Sequence, residues 1–135
     1  MISCKRKVQY YETDKMGIVH HSNYIRFFEE GCMNFFDKIG YNFREIEETG
    51  ITRPVVSVEA KYMEPLRFDD EFEVRTYVEE YTAATFTFYY EVVNSDKVCA
   101  KGRTKHCFML DGRPVNLKKA YPDFLNRLEE HKKTK

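Results

Sequence analysis

From Tyr24 onward the apolar residues recur at helical spacing, through Tyr24, Phe28, Cys32, Phe35 and Ile39, with Ile25 and Phe36 widening the stripe. Arg26, Glu29, Glu30, Asn34 and Asp37 fall on the opposite side, as the solvated face of an amphipathic helix. Asn23 is placed to cap its start and Gly40 to end it. Phe27 and Met33 lie off the main stripe, which points to a ligand pocket or a subunit contact. A short helical segment over Phe43 to Glu48 ends at Gly50. The period then drops to two. Val56, Val58, Ala60 and Tyr62 alternate with Ser57, Glu59 and Lys61, and Phe72, Val74, Thr76 and Val78 alternate with charged residues. Phe86, Phe88, Tyr90 and Val92 mark a third strand, turning at Asn94-Ser95-Asp96, and Val98 to Leu110 a fourth, ending at Asp111-Gly112. Pro122 suits the first turn of a closing helix, with Phe124, Leu125 and Leu128 facing inward. Ahead of the long helix, Lys5 to Tyr11 reads as one more strand.

Consecutive strands joined by short turns favour an antiparallel sheet, and one long apolar helix is available to cover it. The expected class is α+β, a single domain over 1–135 with a flexible tail from about 130 to 135. The 22 basic and 22 acidic residues cancel, which speaks against bulk nucleic-acid binding and leaves any anionic ligand to local charge. No apolar run approaches the ~20 residues of a membrane span, and MISCKRKVQYY holds no apolar leader core, so a cytoplasmic location is expected. Cys4, Cys32, Cys99 and Cys107 form no C-x-x-C pair and read as reduced, small apolar side chains.

The candidate chemistry gathers in TDKMGIVHHSNY, Thr13 to Tyr24, at the mouth of the long helix. Asp14 offers a carboxylate that either attacks or activates water, or simply closes a turn by bonding nearby backbone. Gly17 permits a positive φ or the close approach of a ligand. The backbone near His21 and Ser22 has the free N–H groups and positive dipole end of a helix start. His21 is either a proton-transfer group or a polar residue at the helix start, while His20 reads as structural. Asp14, His20 and His21 bring no further ligand with them, so no metal is expected. Glu29 and Glu30 read as a solvated face, and Tyr10 as an aromatic with a polar tip. Tyr24, Phe27 and Phe28 belong to the core or to a ligand pocket. Lys101, Arg103 and Lys105 alternate along the last strand, so they share one sheet face, as an anion-binding stripe or a solvated one.

The pattern Y-x-E-T-D-x-M-G-I-V-H-H-x-N-Y-x-R-F-F-E, from Tyr10 through Glu29, resembles the hotdog-fold acyl-CoA thioesterases. So does Y-M-E-P-L-R-F-D-D, from Tyr62 to Asp70. The nearest resemblance is to the 4-hydroxybenzoyl-CoA thioesterase family, including its Tol-Pal-associated branch. The resemblance implies a curved antiparallel sheet wrapped around one long central helix. It also implies a homodimer or homotetramer with the active site between subunits. The implied reaction hydrolyses an acyl-CoA to free acid and coenzyme A without a cofactor. By the same resemblance Asp14 is the catalytic carboxylate, with Tyr10, Gly17 and His21 around it. Backbone N–H groups at the helix start would stabilise the oxyanion, and Lys101, Arg103 and Lys105 would hold the coenzyme A phosphates. Two other readings stand beside it. A hotdog dehydratase acting on acyl-carrier protein resembles H-x-x-x-x-P-G-x-x-P before its helix, which this chain lacks. A non-catalytic module binding acyl-CoA or acyl-carrier protein is opposed by the intact Asp-Gly-His turn.

Overall fold

The structure is a computed structural model that describes residues 1–134. Strand β1 (Ile2–Lys7) leads through a 3-10 turn (Tyr10–Glu12) to helix α1 (Ser22–Lys38) and then α2 (Phe43–Glu48). Strands β2 (Val55–Tyr62), β3 (Glu71–Tyr81), β4 (Thr85–Asn94) and β5 (Lys97–Cys107) follow. The short pair β6 (Met109–Leu110) and β7 (Arg113–Pro114) precedes α3 (Leu117–Ala120) and α4 (Pro122–Glu130). The main sheet has the antiparallel order β1-β3-β4-β5-β2, so β1 and β2 are its two edges.

Helix α1 lies on the inner face of this sheet because both surfaces are aromatic. Phe27 meets Phe72 of β3, Phe28 stacks on Tyr90 of β4 at 4.9 Å, and Phe35 meets Phe88. Two glycines set how closely helix and sheet approach. A Cβ on Gly31 would stand 2.7 Å from Thr76 and Val74, and one on Gly102 would stand 2.2 Å from the Phe28 ring. At the far end of α1, Phe36 stacks on Phe124 of α4, closing the core with the inward Phe124, Leu125 and Leu128 that the sequence pattern predicts.

The details correct several sequence expectations. The first strand is Ile2–Lys7, and the stretch toward Tyr11 turns off as a 3-10 segment held by buried Glu12, which pairs with Arg6 and accepts the Gln9 N–H. The buried face of α1 includes Phe27 and excludes Ile25, which is exposed. Phe72 of β3 covers Phe27, whereas Ile25, two residues earlier, is 44% exposed. Asn23 does not cap α1. The cap position is His21, and Asn23 sits inside the first turn with its amide donating to the Glu12 carbonyl at 2.9 Å. The predicted fourth strand breaks at Phe108, and its last part pairs with β7 instead. Residues expected to form a loose tail lie against β3: Lys133 N–H donates to the Val78 carbonyl at 2.7 Å, and Val78 N–H to the His131 carbonyl at 3.1 Å. Lys135, the end of that tail, lies outside the described residues.

A polar chain runs through the core. Arg53, just before β2, pairs with Glu29 of α1 and donates from Nη1 to His106 Nδ1 at 2.7 Å. A guanidinium only donates, so Nδ1 accepts and His106 carries its proton on Nε2. That proton faces Thr104 Oγ1 at 2.7 Å, and Thr104 in turn bonds Tyr90 at 2.6 Å. His106 is fully buried, and burial, then the Arg53 charge, lowers its pKa to about 3. Glu29 and Glu30 keep side chains 46% and 43% exposed, on the solvated side as expected, and each also holds an arginine, Arg53 and Arg6 respectively.

Candidate active site

The stretch from Thr13 to His20 is a small hairpin. Thr13 bridges Val19, Asp14 N–H donates to the Ile18 carbonyl at 2.9 Å, and Gly17 N–H donates to the Asp14 carbonyl at 2.9 Å. Gly17 has φ +79°, a left-handed conformation that favours glycine, and a Cβ there would meet open space. Its role within the chain is thus the turn, and the space above it stays free for a ligand. Asp14 closes the turn, as one of its two readings expects, and it also faces a cleft. One carboxylate oxygen, Oδ1, accepts the Met16 N–H at 2.8 Å and stiffens the turn, while the residue also lines an open cleft.

That cleft holds about 370 Å³. Asp14, Ile18 and Val19 form one wall, His21 and Tyr24 the helix side, and Tyr62 through Pro65 the other wall. The second wall is fastened to the first by Val19 N–H, which donates to the Leu66 carbonyl at 2.8 Å, and by a bridge between Ile18 and Arg67. Tyr24 and Tyr62 meet edge to face at 5.1 Å as its aromatic floor. Burial raises the Tyr24 pKa to about 12, so its hydroxyl stays protonated at neutral pH.

His21 stands at the start of α1, exposed, with its side chain making no cap bond. Its carbonyl accepts from Tyr62 Oη at 3.3 Å. His20 bonds locally: its Nδ1 meets Ser22 Oγ at 2.8 Å and takes the Ser22 N–H only at 3.3 Å. At the helix start the Ser22 N–H is held only at 3.3 Å and the positive dipole end lies beside the cleft, while the Asn23 and Tyr24 N–H groups bond the His20 and His21 carbonyls at 2.9 and 3.2 Å. Tyr10 is not among the cleft residues. It is 77% exposed, with its ring edge-on to Phe68 at 5.6 Å.

Lys101, Arg103 and Lys105 do share one face, and it is the face away from α1. The residues between them, Gly102 and Thr104, are buried toward the helix. Tyr62 pairs with Ala100 on the helix side, so the sheet stands between this stripe and the cleft. Arg103 is committed to Glu79 at 2.6 Å and to Glu59 at 3.6 Å. Sequence reasoning missed the second wall, although the Tyr62–Asp70 motif had marked it. It also missed Arg6, Glu12 and Asn23, which fix the turn against α1. Periodicity assigns a residue to a face but does not bring two distant loops together. A larger groove of about 490 Å³ lies where β1 and β3 meet the β4–β5 turn. It is lined by charges of both signs, such as Lys5, Glu73, Arg75 and Asp96, and lacks the helix start that makes the smaller cleft chemically interesting. Among the described residues no three His, Cys, Asp or Glu converge as a metal-ligand set.

The family described as the thioesterase-like superfamily matches residues 8–128. A provisionally named esterase of Aquifex aeolicus is 42% identical over 115 residues, covering 85% of this chain and 90% of that protein. A protein of Bacillus subtilis, provisionally named acyl-CoA thioesterase YneP, is 31% identical over 130 residues, covering 94% of each. The crystal structure of a DHNA-CoA thioesterase from Staphylococcus aureus superposes with a TM-score of 0.89 at 26% identity, covering 95% of this chain and 88% of that one.

Proposed function

The chain belongs to the thioesterase-like superfamily, and we propose that it hydrolyses the thioester of an acyl-CoA to the free acid and coenzyme A. The observation that carries this reading is the shared cleft, onto which a carboxylate and a helix N-terminus both open. Thioester hydrolysis needs an oxygen nucleophile on one side of the carbonyl and donors for the developing oxyanion on the other. Asp14 supplies the first, directly or by deprotonating water, with the carboxylate oxygen not held by Met16. The backbone at His21 and Ser22 supplies the second. His21 is the neighbouring group suited to move a proton to the thiolate as it leaves. Gly17 keeps the approach open, and Tyr24 with Tyr62 supports the acyl group. Tyr10, exposed and outside the cleft lining, takes no part at the carbonyl in this proposal.

The active protein is a homo-oligomer in this proposal. Among the described residues edge strand β2 has no partner on its outer side, and its apolar residues are exposed, Val56 at 54%. Ile25 and Met33 on α1 are exposed as well, and a second copy would cover such apolar residues. Lys101 and Lys105 remain candidates for the coenzyme A phosphates by a route around that edge.

The test is turnover on a panel of acyl-CoAs by the full chain and by Asp14→Asn. The substitution keeps the size and the turn but removes the negative charge. We expect a folded protein at least ~100-fold slower, since a general base typically contributes ~10²–10⁴-fold. Glu30→Gln, which touches only the Arg6 pair, should be mild. Near-normal kcat in Asp14→Asn would remove this assignment.

A further inference from the structure

The cleft has an electrostatic character that bears on which acyl groups it admits. Glu64 stands on the wall formed by the second motif, in the same cleft as Asp14. Its position is fixed by the backbone. Met63 N–H and Glu64 N–H both donate to the Cys99 carbonyl, at 2.8 and 3.1 Å, where the chain leaves β2. Pro65 then restricts the backbone, and Leu66, fully buried, anchors the segment and holds Val19 through its carbonyl. The cleft lining therefore carries two carboxylates, no Lys and no Arg, with His21 as its one titratable base. Glu64 makes no ion pair among the described residues, and its charge is felt as far as Cys99, whose thiol it helps to raise behind the larger effect of burial.

We infer that Glu64 is a specificity residue, and that the cleft takes uncharged acyl groups and rejects those ending in a carboxylate. The inference rests on the acyl-CoA thioesterase reading of the same cleft. A carboxylate on the acyl group would enter a site whose lining, among the described residues, holds no Lys or Arg, so repulsion is not offset by pairing. A like charge ~7 Å away, screened between the limits of a protein surface and of water, weakens affinity about 3- to 50-fold.

The experiment compares hexanoyl-CoA with adipoyl-CoA, which share a six-carbon chain and differ in the terminal carboxylate. In the full-length protein kcat/KM should favour hexanoyl-CoA at least ~10-fold, and Glu64→Gln should narrow that ratio by a factor within the range given above. Glu64→Lys should narrow it further or invert it. Dissociation constants of both esters, measured calorimetrically on Asp14→Asn with and without Glu64→Gln, read the same selection without turnover. Ratios that stay within twofold of wild type in both Glu64 variants overturn the inference, even when both esters are hydrolysed. If neither ester is hydrolysed yet the binding ratio responds to Glu64, the selection holds and the hydrolase reading falls.

Discussion

Acid should unfold this protein through His106 in a calculable way. The residue is fully buried and neutral, accepts from Arg53 through Nδ1 and faces Thr104 through Nε2. Its pKa is lowered from 6.5 to about 3, first by burial and then by the Arg53 charge. In the unfolded chain it titrates near its ordinary value of ~6.5. Between those two values the unfolded chain binds the extra proton, so stability rises with pH there. The contribution is fully present above pH ~6.5 and drains away as the pH falls toward ~3. For a single site with these two values, moving from pH 7 to pH 5 costs about 2 kcal/mol. Urea melts of wild type and His106→Gln at pH 5, 6 and 7, at one protein concentration, would measure it. Glutamine keeps an acceptor for Arg53 and does not titrate. His131 is also lowered by burial, but it is present in both proteins and cancels. Wild type should lose about 2 kcal/mol more than the variant over this range. Equal losses would refute the picture of a neutral histidine locked behind Arg53.

Gly102→Ala should destabilise by about 3 kcal/mol or prevent folding, because its Cβ would stand 2.2 Å from the Phe28 ring and 2.7 Å from the Glu59 carbonyl; thermal melts decide it. Sedimentation at micromolar concentration should show a dimer or a larger assembly, and a clean monomer would mean that the open β2 edge stays uncovered. Lys101→Ala with Lys105→Ala should raise KM for acyl-CoA at least ~3-fold with kcat little changed, since the nucleotide lies far from the reacting carbonyl. An unchanged KM would assign that stripe to a solvated face.

Local periodicity and turn chemistry make part of the molecule legible along the chain. The α+β order, the helix over Phe43–Glu48 ending near Gly50, the alternation of Phe72, Val74, Thr76 and Val78, and the inward face of α4 all follow from apolar spacing, and each is found as expected. The Asp14–Gly17 turn was legible for the same reason, because an Asx turn and a positive φ are properties of a few adjacent residues. Other features arise from the packing of distant segments. Alternation placed Val56, Val58 and Tyr62 on one face of β2 but could not tell that the strand is an edge with that face uncovered. Helical spacing set Phe27 aside, yet Phe72 of β3 covers it, whereas Ile25 is exposed. His106 looked like one more residue of a strand until Arg53 and Thr104, distant or on the same strand, closed on its two nitrogens. The second wall of the cleft exists only because Val19 and Leu66, 47 positions apart in sequence, share a hydrogen bond. Local rules act over one turn or one pleat, whereas curvature, edges and the meeting of loops depend on how the whole chain closes on itself.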